Sequence, residues 1–129
     1  MIEFYLDAHS GVAPYRQLID QVKQALRLGL LSKGDRLPTV KDAVAMVAVN
    51  PNTVLKAYRE LEYEGLVSPR PGVGTFVTRT LTDESLAAHG PLRHELRAWL
   101  AKARTAGLDD ESIEALFVTT FRTRIEETA

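Results

Sequence analysis

The sequence contains no cysteine, which excludes disulfide bonds, thiol chemistry and zinc sites with cysteine ligands. It also has no long apolar run. Its longest uncharged stretch, residues 43–55, includes Asn50, Pro51 and Asn52 and falls short of the roughly 18 apolar residues that a membrane-spanning helix needs. The first seven residues carry two acidic and no basic side chains, unlike a secretory signal. We therefore expect a cytoplasmic protein.

An excess of charge of either sign is also missing. The net charge is −1, from 16 Lys and Arg against 17 Asp and Glu, whereas a nucleic-acid-binding protein often carries a clear positive excess. The charges are unevenly distributed: residues 1–80 hold 10 basic and 8 acidic side chains, and residues 81–129 hold 6 basic and 9 acidic ones. The first part is slightly basic and the second is acidic. Whether the chain can bind nucleic acid therefore depends on where its charges lie and not on the net charge.

Helix signals begin at Pro14, since proline suits the first helical position, and end at Gly29. A turn and a short extended piece follow. Thr39 is then a predicted N-cap for a short apolar helix, and Asn50 caps the next helix, which runs to about Glu64. Two short helices separated by a few residues predict a helix-turn-helix.

A β-hairpin is predicted next. Residues 66–67 and 75–77 are β-type runs, and the segment between them is rich in glycine and proline. A polar connector, residues 80–90, precedes two further amphipathic helices. The order of elements predicts a mainly α fold with a small β-hairpin (α+β), in which a winged helix-turn-helix DNA-binding domain (residues 1–80) precedes a two-helix C-terminal dimerisation and effector region (residues 81–129).

The third helix has two distinct faces at 100° per residue. One face is apolar and is expected to dock into the domain; it holds Val54, Ala57, Tyr58 and Leu61. The opposite face holds Asn52, Lys56, Arg59 and Tyr63, with Thr53 on its flank. Taken singly, each polar residue could also be a simple cap or a solvated side chain. Three glutamates in the C-terminal half of the helix would repel phosphate, so only its N-terminal half is expected to approach DNA.

Several blocks of the sequence resemble the GntR family of bacterial transcription regulators, in the same order and spacing. The blocks are residues 34–41 (Gly-Asp-Arg-Leu-Pro-Thr-Val-Lys), 49–62 and 72–77 (Gly-Val-Gly-Thr-Phe-Val), together with Gly65. The Val-Asn-Pro-Asn-Thr-Val block and the short tail resemble the YtrA-type subfamily. The resemblance covers roughly residues 10–80 and implies a sequence-specific DNA-binding regulator, expected to be a repressor that acts as a homodimer on a palindromic operator.

The resemblance also implies which residues contact DNA. A basic residue early in the second helix grips phosphate or base, and this chain has Lys41 where arginine is commoner. The start of the third helix contacts DNA, and the wing glycines let the backbone approach the minor groove or phosphates. The candidate DNA-binding residues are Arg36, Thr39, Lys41, Asn50, Asn52, Thr53, Lys56, Arg59, Arg70, Gly72 and Gly74.

The tail of about 49 residues is too short to enclose a sizeable pocket by itself, unlike the effector domains of larger members of the superfamily. Its apolar stripes need a partner. They could fold back on their own domain, but self-association is favoured because helix-turn-helix proteins usually read two half-sites as a symmetric dimer. The candidate dimer-interface residues are Leu96, Trp99, Leu100, Leu116, Phe117 and Phe121.

Enzyme chemistry finds little support. Gly72-Val73-Gly74 lacks the lysine of a phosphate-binding loop and no helix follows it. His89 and His94 are five residues apart, a spacing that does not place both on one helical face, so no metal site is expected. We expect no enzyme activity and no cofactor. The expected partners are double-stranded operator DNA, a second copy of the chain and an unidentified small-molecule effector. The alternative is a winged-helix module for protein–protein interaction without sequence-specific DNA binding.

Overall fold

The computed structural model describes residues 2–81 and 89–128, and for residues 89 and 124–128 it describes the backbone alone. The helices and strands are α1 (Pro14–Arg27), α2 (Val40–Val47), α3 (Pro51–Tyr63), β1 (Val67–Arg70), β2 (Gly74–Val77), α4 (His89–Thr105) and α5 (Asp110–Thr128). These elements confirm the predicted mainly α fold with one antiparallel hairpin. They form two compact units divided between Leu86 and Ala87. Most of the predicted connector, residues 80–90, lies outside the described residues, so the domain boundary at residue 80 stays a prediction.

Helix α1 begins at Pro14, as predicted, because a proline in the first turn removes an N–H that has no partner there. Its apolar side chains recur at helical spacing and pack against α3. The buried ones are Leu18, Ile19, Val22, Ala25 and Leu26. Full burial of one large apolar side chain contributes about 1.5–3 kcal/mol to the free energy of unfolding. The packing of α1 therefore stabilises the position of α3.

An extended N-terminal segment, which the sequence pattern did not predict, lies along α1. Phe4 is buried, and its ring centroid is 6.5 Å from that of Tyr58. The buried Gln21 side chain donates to the Tyr5 carbonyl (2.7 Å) and accepts from the Tyr5 N–H (3.1 Å). The Gln21 amide thereby bonds the backbone of Tyr5 as a neighbouring strand would. The same two bonds satisfy the polar atoms of the buried Gln21 side chain.

Helices α2 and α3 form the predicted helix-turn-helix. The Asp42 N–H donates to Thr39 Oγ1 (3.1 Å), and the Asn52 N–H donates to Asn50 Oδ1 (2.8 Å), so both predicted N-caps are present. Helix α2 ends at Val47, because Ala48 adopts a left-handed conformation with φ 52°. This residue turns the chain toward the start of α3.

The hairpin extends further toward its tip than the sequence indicated. Strand β1 reaches Arg70 and β2 begins at Gly74, so the turn itself is only residues 71–73. Pro69 pairs with Thr75 across the hairpin. The Thr75 carbonyl accepts from the Leu37 N–H on its other side (2.9 Å), so the missing proline N–H removes no ladder bond.

The extended segment before α2 pairs with β2 on the side opposite β1, so that the hairpin gains a third paired segment. Arg36 forms an antiparallel bridge with Phe76. On either side of this bridge, the Val77 N–H donates to the Asp35 carbonyl (2.8 Å) and the Leu37 N–H donates to the Thr75 carbonyl (2.9 Å). We call residues 34–37 and 67–77 the wing. Its middle strand is β2, and the buried Val67 and Val77 join it to the core.

The second unit is a pair of helices. Helix α4 begins at His89 and has Pro91 in its first turn, where a proline is tolerated because the first N–H groups of a helix have no intrahelical partner. Asp109 caps the start of α5, since the Ser112 N–H donates to Asp109 Oδ1 (2.8 Å). Among the described side chains of this unit, only Ala103 and Ile113 are buried. The two helices therefore bury very little apolar surface between them.

Candidate nucleic-acid interface

Helix α3 presents a polar face opposite its buried one. Val54, Ala57, Tyr58 and Leu61 are buried, which confirms the predicted docking face. The opposite face is exposed at Asn52, Lys56, Arg59 and Tyr63, and Thr53 on its flank is half-buried. The Asn52 amide and the Lys56 ammonium lie in the first half of the helix, and the Arg59 guanidinium follows in its second half. These are the groups that pair with base edges and phosphates.

The two N-caps fix the start of each helix and keep donors at the surface. Each cap uses an acceptor atom, Oγ1 of Thr39 or Oδ1 of Asn50. Within the described part of the chain, the Thr39 hydroxyl hydrogen and the Asn50 amide nitrogen are engaged in no further bond. Lys41 is exposed in the first turn of α2. The beginnings of α2 and α3 thus each offer donors to an external acceptor.

The wing carries two exposed arginines. The guanidinium carbon of Arg70 lies 4.3 Å from the centroid of the Phe76 ring, a cation–π contact. The Arg36 side chain lies against Gly74, where a Cβ atom would come within 2.8 Å of Arg36 Nε. Gly72, at the exposed tip, has φ 75°, a conformation that favours glycine.

Three surface grooves bring seven of the eleven candidate residues into one continuous region. A groove of about 530 Å³ between α1 and α3 is lined by Lys56 and Arg59. A second, of about 320 Å³, joins Arg59 to Thr39 and Gly74. A third, of about 420 Å³, is lined by Arg36, Thr39, Arg70, Gly72 and Gly74. The grooves share residues and so run from α3 to the wing tip. The other four candidates, Lys41, Asn50, Asn52 and Thr53, do not line these grooves.

Two aromatic residues make cation–π contacts that the sequence pattern did not indicate. Tyr15, at the start of α1, lies beneath Lys56, with the ammonium nitrogen 3.9 Å from the ring centroid. Phe76 lies beneath Arg70 in the same way. No periodicity or spacing could single them out, because each pair joins residues that are far apart or on different strands.

Two of the three glutamates near the C-terminal end of α3, Glu60 and its C-cap Glu64, are paired with basic residues of α1. Arg16 Nη2 is 3.4 Å from Glu60 Oε2, and Lys23 Nζ is 2.9 Å from Glu64 Oε1. Exposed ion pairs contribute little to stability, but they place a positive charge beside each of these carboxylates. The repulsion of phosphate expected from this half of the helix is correspondingly smaller at these two positions.

Tyr58 belongs to the core, as predicted, and is not available to stack on a base. It is 7% exposed, and its hydroxyl donates to the Pro38 carbonyl at 2.6 Å. Burial raises the pKa of the Tyr58 phenol above its ordinary value, and the nearby Asp42 carboxylate raises it further. The bond ties α3 to the residue just before the α2 cap, so it fixes the relative position of the two helix starts.

The second unit exposes most of its large apolar side chains. Leu96, Leu116, Phe117 and Phe121 are 43–57% exposed, while Trp99 and Leu100 are half-buried. Five of these six residues, with Thr120, line a cleft of about 380 Å³ between α4 and α5. The Phe117 and Phe121 rings are stacked, with centroids 6.2 Å apart. An apolar surface of this kind typically marks an interaction site.

Residues 2–81 and 89–128 contain neither a candidate metal site nor a candidate membrane-spanning helix. These residues contain no cluster of three or more His, Asp or Glu side chains that could hold a metal ion. They also contain no helix with the length and apolar character that crossing a membrane requires.

Residues 14–77 match the family described as "Bacterial regulatory proteins, gntR family". The HTH-type transcriptional repressor YtrA of Bacillus subtilis (strain 168) is 32% identical over 112 residues, which cover 84% of this chain and 84% of the repressor. The match therefore extends beyond the winged helix-turn-helix into the second unit.

Solved structures give the same result. YtrA from Sulfolobus acidocaldarius, a GntR-family transcription factor, has a TM-score of 0.53 and 28% identity, covering 77% of this chain and 94% of that one. The DNA-binding domain of AraR, solved in complex with operator ORE1, has a TM-score of 0.51 and 25% identity and covers 57% of this chain and 89% of that one. The relatives are transcriptional regulators, not enzymes.

Proposed function

The chain belongs to the GntR family of bacterial regulatory proteins, as a transcriptional regulator with a winged helix-turn-helix DNA-binding domain, and from that premise we propose that it is a cytoplasmic repressor. It binds a palindromic operator as a homodimer and is released by a small-molecule effector. Residues 1–80 bind DNA and residues 81–129 hold the two copies together. The observation that carries the proposal is the continuous donor-rich region that runs from Lys56 and Arg59 of α3 to the wing tip.

Base reading is assigned to the start of α3. Asn52 is exposed on its first turn and its amide can pair bidentately with adenine. Thr53 and Asn50 lie beside it, and the Asn50 cap holds the turn in place. The AraR domain, which has the same fold and is solved with an operator, supports this assignment. Because only one turn reads bases in this proposal, we expect a single copy to have limited specificity.

Phosphate binding is assigned to the cations around that turn. Lys56 and Arg59 lie on α3, Lys41 on the first turn of α2, and Arg36 and Arg70 on the wing. Thr39, Gly72 and Gly74 complete the proposed contacts, since hydroxyl and backbone N–H groups also bind phosphate oxygens. Each phosphate that these cations neutralise contributes about −0.9 to the slope of log K against log salt.

Dimerisation is assigned to the exposed apolar surface of α4 and α5. The buried residues Ala103 and Ile113 hold the two helices together, but four of the larger side chains near the cleft remain 43–57% exposed. A second copy would cover them and would fix the separation of two recognition helices, as a two-fold operator requires. The proposed interface residues are Leu96, Trp99, Leu100, Leu116, Phe117 and Phe121.

The proposal is tested with DNA from the region upstream of the protein's own coding sequence. A gel shift at physiological salt compares this duplex with a shuffled duplex of equal length and composition. We expect the upstream duplex to bind at least about 10³-fold more tightly, the lower end of the range for specific regulators. Transcription in vitro from the same promoter should fall as the protein is added. Equal affinity for both duplexes would refute sequence-specific regulation.

A further inference from the structure

One face of the wing gathers four residues that the register places together. Arg36 is opposite Phe76, and Arg70 is opposite Gly74. Residues that face each other across antiparallel strands share a face, and so do residues two apart in one strand, such as Gly74 and Phe76. We call these four residues the arginine face. Val77, on the alternate side of β2, is buried in the core, so the arginine face points away from the core.

The side chains of Arg36 and Arg70 approach β2 from opposite sides, and each extends diagonally over it. Arg70 starts opposite Gly74, yet its guanidinium carbon lies 4.3 Å from the Phe76 ring centroid. Arg36 starts opposite Phe76, yet its guanidinium lies over Gly74, where a Cβ would be 2.8 Å from Nε and 3.4 Å from Cζ. Each guanidinium therefore sits on the residue that faces the other arginine. Residues two apart in a strand are separated by about 7 Å, so the two guanidiniums lie within reach of one phosphate.

The charge of this pair is not neutralised within residues 2–81 and 89–128. The ion pairs formed there use Arg16, Lys23 and Arg104, and neither wing arginine has a carboxylate within pairing distance. Two like charges held close together without a counter-ion favour an anion between them. The planar guanidinium donates two parallel hydrogen bonds, which suits phosphate oxygens better than an ammonium does.

We propose that Arg36 and Arg70 form a single clamp for one phosphodiester of the DNA backbone, and that Phe76 and Gly74 are the positioning residues of this clamp. Phe76 holds the Arg70 guanidinium by its ring face, and Gly74 leaves the space that the Arg36 guanidinium fills. The resemblance implied that Gly74 is a glycine so that the backbone can approach DNA; here its lack of a side chain serves a neighbouring arginine. The inference rests on the proposed DNA binding.

The first test counts phosphates. On duplex DNA, the slope of log K against log salt changes by about 0.9 for each phosphate that the protein no longer neutralises. Arg36→Ala, Arg70→Ala and the double variant are measured in the full chain against the upstream duplex. One shared phosphate predicts a total change of about 0.9 per protomer in the double variant and little change in either single variant, because the remaining arginine still neutralises that phosphate. A change of about 1.8, divided equally between the single variants, would mean two separate phosphates and would overturn the clamp.

The second test addresses Phe76 as a positioning residue. Phe76→Leu keeps an apolar side chain without the ring, and Phe76→Tyr keeps the ring. We expect Phe76→Leu to weaken binding about 3- to 10-fold in the unchanged chain and not at all in the Arg70→Ala background, while Phe76→Tyr retains full binding. The Arg70 Hδ protons should shift downfield in the NMR spectrum of free Phe76→Leu, because the ring current is absent. An equal weakening in both backgrounds would make Phe76 a structural residue only.

The third test addresses Gly74. Gly74→Ala should displace the Arg36 guanidinium and weaken binding as Arg36→Ala does, with no further weakening when both are combined. Gly74 has φ 145°, so this variant is first checked for its fold by circular dichroism, and if it does not fold the Phe76 variants decide the matter. A folded Gly74→Ala chain with unchanged affinity would overturn the role of Gly74. Failure of the unchanged chain to bind any duplex would instead refute the proposed function.

Discussion

The hydroxyl of Tyr58 is expected to stabilise the first unit, and the variant Tyr58→Phe tests it. The hydroxyl donates to the Pro38 carbonyl at 2.6 Å, and both residues are buried. Removing one partner of a buried hydrogen bond leaves the other unsatisfied, which costs about 1–3 kcal/mol. For a unit of this size, each kcal/mol lowers the Tm by about 4–8 °C. We therefore expect a lower free energy of unfolding and a fall in Tm of at least about 4 °C.

The pH dependence gives a second, independent signature of the same group. Burial raises the pKa of folded Tyr58 above the value of about 10 expected for an unfolded chain. Above a pH of about 10 the unfolded chain releases this proton while the folded chain keeps it, so the stabilisation is complete below that pH and declines as the pH rises. The decline approaches about 1.4 kcal/mol per pH unit. At a pH of about 11 the advantage of the unchanged chain over Tyr58→Phe should shrink by about 1.4 kcal/mol.

Urea unfolding followed by far-UV circular dichroism at pH values of about 7 and about 11 measures both effects. Tyr63→Phe is the matched control, because Tyr63 lies on the same helix and is 94% exposed. We expect this control to behave as the unchanged chain does at both pH values. If Tyr58→Phe is no less stable than Tyr63→Phe at neutral pH, the hydrogen bond does not hold α3 to the segment before α2. If Tyr58→Phe shows the same decline in stability at alkaline pH as the unchanged chain, another group titrates.

Three further predictions concern the proposed function. Asn52→Ala should cost about 1–3 kcal/mol of operator binding and relax the preference at one base pair per half-site, as measured on a set of single-base operator variants; equal effects on all of them would make Asn52 a positioning residue. Lys56→Ala should weaken specific and nonspecific binding alike and reduce the salt slope by about 0.9 per protomer, and an unchanged slope would remove Lys56 from the interface. A chain ending at Thr80 should stay folded, sediment as a monomer and lose most operator affinity; sedimentation as a dimer would refute the role assigned to the tail.

Interactions between residues close in the sequence were predicted correctly because their chemistry is local. Pro14, Thr39 and Asn50 mark helix starts through the conformation and side-chain oxygen that each residue itself supplies. The apolar period of α3 identified its buried face, including Tyr58, since about 3.6 residues per turn follow from backbone geometry alone. The overall order of helices and hairpin needed nothing more.

The tertiary structure alone decided which distant residues meet. The extended N-terminal segment is held by Gln21, which no helical or strand period reveals, because its partner is the backbone of Tyr5. Lys56 lies over Tyr15 because α1 packs on α3, which brings together residues far apart in the chain. Strand register likewise set the neighbours of each residue in the wing.

The wing shows most clearly which features the sequence predicts and which only the tertiary structure decides. From the sequence, Gly74 and Arg70 were residues of a turn, and Arg36 was a separate cation in an extended piece. In the structure all three lie on one strand-paired face, with Phe76 between them. Sequence composition determined that this segment is a basic hairpin, because glycine and proline fix turns locally. Only the register of three chain segments determined that its two arginines share one face, since register depends on pairing across the sheet.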